Sequence, residues 1–153
     1  MPAGAHELLP VVARIKPQSV AAAATANSDA VDMSKFEEVL FIFNMGDYAA
    51  GNDGSVAVKV TADTASGGAF ATDVTGKTLT AGSFTGSALD DAVGIIRVKA
   101  VELAAQGETL RYCRLEVTPA DQDLTCAAIA LGVHLGYSDA AELDLAKVKE
   151  IIA

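Results

Sequence analysis

The sequence predicts an all-β fold: an antiparallel β-sandwich, jelly-roll-like, of about eight strands, with an extended N-terminal arm and a short C-terminal arm or helix. Three observations lead there. Short runs alternate apolar and polar residues, as in Val56-Ala57-Val58-Lys59-Val60-Thr61. Clusters of Gly, Pro, Asn and Asp punctuate them, and no convincing long helix precedes the tail. Each alternating strand has one face to bury, and a second sheet packed against the first supplies the cover. Short connections imply antiparallel pairing. Eight strands without a Cys–Trp–Cys core favour jelly-roll over immunoglobulin-like order.

A chain of 153 residues suits one domain with a core large enough to need no staple. Aromatic residues make up only 5% of it and Trp is missing, so that core is built from many small and β-branched side chains. The net charge of −9 argues against a surface that neutralises phosphates, so no direct nucleic-acid partner is expected. No apolar run is long enough to span a bilayer and the N-terminus lacks the pattern of a secretory signal, which together imply a soluble protein without a membrane partner.

Residues 1 to 9 carry no periodicity and read as an arm, with Leu8 and Leu9 as candidate contacts for a neighbour. Val11 to Lys16 alternates weakly between Pro10 and Pro17. Proline is confined to strand starts, edges and bulges, so this is an edge strand whose length the two prolines limit. The expected division is therefore 1–17 for arm and edge strand, 18–138 for the sandwich and 139–153 for the tail. Ser19 to Ala26 has helix-forming alanines but also Val20, Thr25 and a following Asn27-Ser28-Asp29 turn cluster, and reads as a strand entering a turn.

Val31 to Phe43 is the densest apolar stretch, holding Phe36, Phe41 and Phe43. Asp32 and Ser34 predict a side-chain-to-backbone turn that reverses the chain before the strand, with no base nearby to make them a catalytic pair. From Val39 onward Phe41 and Phe43 fall on one face and Leu40 and Ile42 on the other. A strand apolar on both sides is expected to be central and covered on both. Asn44 to Gly54 reads as a loop without the spacing of a calcium site.

Val56 to Thr61 is an amphipathic strand with Val56, Val58 and Val60 inward and Lys59 and Thr61 toward water. Residues 63 to 88 suggest two short strands, Phe70 to Val74 and Lys77 to Thr80, joined at a Thr75-Gly76 turn. Ala92 to Val101 is the next strand, with Ile96, Val98 and Ala100 on one side and Arg97 and Lys99 on the other; a turn at Gly107 follows. Leu110 to Thr118 turns Cys113, Leu115 and Val117 inward and Tyr112, Arg114 and Glu116 outward. Tyr and Arg are enriched at interface hot spots, so Tyr112 and Arg114 are candidate interface residues, with a solvated sheet face as the alternative.

After a turn at residues 119–123, Leu124 to Leu135 is a last strand apolar on both faces. Cys113 and Cys126 lie on adjacent strands and read as buried thiols, with a disulfide as the alternative and metal binding disfavoured by the spacing. His134 has only His6 as a fellow and carries no site. The tail shifts to Asp, Glu, Lys, Leu and Ile. Its Leu143, Val148, Ile151 and Ile152 need cover from the body or from another subunit.

The runs Val31 to Phe41, Gly54 to Val60 and Arg111 to Thr118 resemble, in that order, the small β-sandwich head proteins of tailed bacteriophages, the capsid cement or decoration proteins. The resemblance covers roughly residues 18 to 135. It implies a structural virion protein, made in the host cytoplasm, that binds the outer surface of an icosahedral capsid and stabilises contacts between major capsid protein subunits. Its partners would be the major capsid protein and itself, as dimer or trimer. No catalytic residues, metal or cofactor are expected, so the chain is not read as an enzyme. The alternatives are a tail or baseplate component and a carbohydrate-binding sandwich module; the latter normally offers aromatic platforms, and only Tyr48, Tyr112 and Tyr137 are present.

Overall fold

The structure is a computed structural model that describes residues 9–48, 55–79 and 91–133. In chain order the elements are β1 (Val11–Val20), β2 (Ala26–Asn27), β3 (Val31–Asp32), β4 (Glu38–Tyr48), β5 (Val56–Asp63), β6 (Thr72–Thr78), β7 (Val93–Lys99), α1 (Ala100–Gln106), β8 (Tyr112–Pro119) and β9 (Leu124–Val133). One sheet has the order β1-β9-β4-β7. The other has β2-β8-β5-β6, with β3 also on β8.

All pairings are antiparallel, and they nest: β1 with β9, β2 and β3 with β8, β4 with β7, β5 with β6. That is one long hairpin wrapped into two sheets, the jelly-roll winding, with β2 and β3 sharing one strand position. The break between them falls at Ser28. Its amide donates to the Leu115 carbonyl at 2.9 Å, and its Oγ accepts from the Leu115 amide at 3.0 Å. A side-chain oxygen thus stands in for a strand carbonyl, so the edge kinks without leaving a buried donor unpaired.

Between the sheets lie the inward residues of every long strand. Val39, Phe41, Phe43 and Met45 of β4 meet Val56, Val58, Val60 and Ala62 of β5, with Leu115, Val117, Ile96 and Val98 around them. Inward placement is as alternation predicts for β5, β7 and β8. Cys113 and Cys126 are both buried and free. The two strands that carry them follow each other in sequence but belong to opposite sheets.

Several expectations change. β1 does not stop at Pro17: it runs to Val20, with a register shift between Ile15 and Gln18 that places the proline in a bulge. The expected boundary at residue 17 therefore falls inside a strand whose Ala13 and Ile15 belong to the core. Ser19 to Ala26 splits into the end of β1, a turn with Ala23 at φ 60, and the start of β2. β4 continues to Tyr48, through what reads in sequence as loop. Thr75-Gly76 is not a hairpin turn but an irregularity inside β6, where Gly76 at φ 72 takes a left-handed conformation.

Ala100 and Val101 leave the strand and begin α1, so Ala100 is not a strand residue. The helix is tied to the fold at its start, where the Ala100 amide donates to the Glu37 carbonyl at 2.9 Å, and its last turn is closed by the Gly107 amide, which donates to the Leu103 carbonyl at 3.1 Å. Glu102 accepts from the Lys99 amide at 2.8 Å and from Lys77 Nζ at 2.9 Å. Burial works to raise its pKa, but these donors and the lysine charges win and the net shift is downward.

Candidate functional site

The two sheets offer two outward faces, and their chemistry differs. On the β2-β8-β5-β6 sheet, Tyr112, Arg114 and Glu116 do turn outward. Arg114, however, is already engaged within the sheet. Its guanidinium lies 4.3 Å from the Phe70 ring centroid and donates to Glu116 Oε1 through Nη2 at 2.7 Å and Nε at 3.1 Å. Phe70 is buried and sits outside the main core cluster. Thr61, expected to meet water, is buried as well; it lies across from Arg114 on β8 and Asp73 on β6.

The loop that delivers Phe70 is built on Asp63. Its carboxylate accepts from the Phe70 amide at 2.8 Å, the Thr64 amide at 2.7 Å and the Ala65 amide at 3.1 Å, which holds its pKa below the usual range. Arg114 is thus a clamp on this loop, not an open anchor. Tyr112 is half-buried, with the Arg111 guanidinium 5.2 Å from its ring centroid.

Asp32 and Ser34 form the turn expected of them: Asp32 Oδ1 accepts from the Ser34 amide at 3.1 Å and from Ser34 Oγ at 2.7 Å. Arg111 then grips the same carboxylate at both oxygens, at 2.8 and 2.6 Å. The Arg111 hydrogen bonds, with those from Ser34, lower the Asp32 pKa from 3.8 to about 2 against the cost of burial. A carboxylate held that acidic is a poor general base for Ser34. A folded-state pKa below the unfolded one stabilises the fold fully above pH 3.8, and the contribution disappears as pH falls through about 2. The stability gap between wild type and Asp32→Asn, from denaturant titrations, is expected to be constant above about pH 5 and to shrink progressively toward pH 2.

The two thiols are pushed the other way, Cys113 up to about 12 and Cys126 up to about 11 by burial. They stay neutral at physiological pH and lack the thiolate a nucleophile needs. Among the described residues, no three His, Cys, Asp or Glu side chains gather to hold a metal ion, and no helix is long and apolar enough to cross a membrane.

The outer face of the β1-β9-β4-β7 sheet is of another kind. Ile42 of the central strand has Ile95 on one side and Ile129 on the other, directly in register, and Leu40 pairs with Leu131 in the adjoining row. Ile95 is 58% exposed, Val93 57% and Ile129 43%. Leu40, Ile42 and Leu131 are half-buried. Among the described residues, β4 is therefore covered on its inner side only, where cover on both sides was expected.

Around this apolar centre stand basic groups. Arg14 lies across from Ile129, Arg97 across from Leu40 and Lys99 across from Glu38. Glu38 is the facing acid, at 3.8 Å from Arg97 Nε. Soluble chains rarely leave a contiguous apolar row of this kind uncovered unless something docks there.

Of the residues singled out in sequence, Leu9 is exposed immediately before β1, next to Pro10, whose carbonyl accepts from the Gly132 amide at 2.9 Å. Leu8, Leu143, Val148, Ile151 and Ile152 lie outside the described residues. The six apolar side chains named on this outer face are not among the candidate residues of the sequence, although it carries their signal: β4 and β9 are apolar on both faces, and the opposite sheet covers only one. No family model matches the chain, and no curated protein matches its sequence.

Proposed function

We propose that the protein is a structural binder of the phage capsid, a cement or decoration protein that lays the apolar face of its β1-β9-β4-β7 sheet on the outer surface of the shell. The observation that carries the reading is that face: half-buried Ile42 in one row between the exposed Ile95 and Ile129. Docking covers the second side of β4 and β9, which their sequences ask for. An acidic chain with charge −9 suits a site away from the genome. Self-association into a dimer or trimer would multiply a modest contact into firm attachment.

The test is addition of purified protein to capsids that lack it. The wild type is expected to saturate a symmetric set of sites on the outer shell, seen by electron cryomicroscopy. Ile95→Asp and Ile129→Asp are each expected to weaken attachment by about tenfold or more, since burying such a side chain is worth ~1.5–3 kcal/mol. Both positions are solvent-exposed, so melting temperatures should stay close to wild type. Protein found only on the tail would favour the tail-component reading, and no attachment to any particle would end both.

A further inference from the structure

Among the described residues the outermost strands of the two sheets are β1, β7, β6 and the position shared by β2 and β3, and of these only β7 has no proline, bulge or break. β1 carries Pro17 in a bulge, β2 and β3 are two residues each and part at Ser28, and β6 loses register around Gly76. β7 stays in register with β4 from Val93 to Lys99. A cleft of about 230 Å³ lies beside it, between Ile95, Ile96 and Arg97 on one side and Gly76 to Leu79 on the other. We propose that this edge joins two copies of the chain, β7 against β7 and antiparallel, into one continuous sheet.

The backbone fixes the register. The Met45 amide donates to the Ala92 carbonyl and the Ala100 amide to the Glu37 carbonyl, both at 2.9 Å, so in β7 the even-numbered residues bond to β4 and the odd-numbered ones turn their N–H and C=O outward. Of these, Lys99 spends its amide on Glu102, at 2.8 Å. Val93, Ile95 and Arg97 present the edge, and one antiparallel register pairs all three among themselves: Ile95 faces the second copy's Ile95, and Val93 faces its Arg97. The outer row then runs unbroken as Ile129, Ile42 and Ile95 of one copy and Ile95, Ile42 and Ile129 of the other. Neither cation of β7 meets its like, because Arg97 lies across from valine and Lys99 across from the second copy's Asp91, which is exposed just before the strand. A strand of an unrelated protein could take the same backbone bonds, but the isoleucine match and the Lys99–Asp91 match are self-complementary, which favours a second copy. The inference does not require the capsid reading. If both hold, the unit that attaches is the dimer, with the apolar row doubled.

Sedimentation of the full chain is expected to show a concentration-dependent dimer, and engineered cysteines test its register. Paired residues of this type have Cα atoms ~5.5 Å apart, within the span of a disulfide, so Ile95→Cys is expected to link into a covalent dimer under mild oxidation. Val93→Cys is offset from its own counterpart by four residues, ~13 Å along the strand, and is expected to stay unlinked. Both positions are exposed, so neither change disturbs the core, and Cys113 and Cys126 are buried away from the reaction. Ile95→Pro removes an outward amide from each copy and is expected to weaken the dimer by about tenfold or more. A chain that stays monomeric up to its solubility limit would overturn the proposal and leave the edge to a strand of another protein. So would a dimer in which Ile95→Cys does not link, or in which Val93→Cys links as readily, since either assigns the contact to another surface or register. These measurements use the free protein, so their failure leaves the capsid-binding test standing, and the reverse.

Discussion

Phe41→Ala is expected to lower the free energy of unfolding by about 3–5 kcal/mol, the range for truncating a large aromatic side chain in a close-packed interior. Phe41 is 1% exposed, on the strand that pairs with β9 along one edge and β7 along the other. Across from it in those strands stand Ala130 and Ile96, both in the core. A small residue on one side and paired backbone on both leave little that can collapse into the cavity, so the cost should sit in the upper part of that range. Ile42→Ala provides the comparison. Its side chain is half-buried on the outer face, and its loss is expected to cost about 1 kcal/mol or less. Chemical denaturation of the two variants measures the contrast, and equal losses would mean that the outer face is as fully packed as the inner one.

Leu103→Ala is expected to cost about 2–5 kcal/mol by the same reasoning. The helix that carries Leu103 is short, and isolated helices of that length are unstable in water. It exists because Leu103, 1% exposed, plugs the core and because the Ala100 amide reaches the Glu37 carbonyl. Its ties to β6 are polar: Lys77 pairs with Glu102 at 2.8 Å, and Gln106 Nε2 donates to Thr75. Those side chains are partly solvated and add little on their own. Val101, two positions away and 68% exposed, is the control: Val101→Ala should be close to neutral. Loss of helical signal in Leu103→Ala at temperatures where the sheets persist would show that α1 depends on this one anchor.

Some features were legible because they depend on a few neighbouring residues. The Asp32-Ser34 turn is one: the groups that make it are two residues apart, and the structure forms it as expected. The inward faces of β5, β7 and β8 are another, since period-two alternation is a property of the strand alone. The helix was not legible, because Ala100-Val101 continues the apolar pattern of β7 until Glu102 folds back onto the Lys99 amide. Nor was the extension of β1 past Pro17, which a bulge against β9 permits.

The candidate site shows the same division. That Arg114 faces outward could be read from β8; that Phe70 and Glu116 consume it could not, because Phe70 arrives on a loop shaped by Asp63. That β4 and β9 are apolar on both sides was evident, and it pointed to full cover. Which side the opposite sheet covers was decided by how the hairpin wraps.

By itself, then, the sequence determined the class of the fold, its antiparallel sandwich and the buried face of each amphipathic strand, because alternation and turn chemistry act over a few residues. Only the tertiary structure decided which strands are neighbours, where the two cysteines lie relative to each other, and that Ile42, Ile95 and Ile129 form one row on the outer face. The physical reason is that cover is supplied by distant chain. A residue's own pattern states that it prefers burial, and only the packing of the opposite sheet settles whether it is buried.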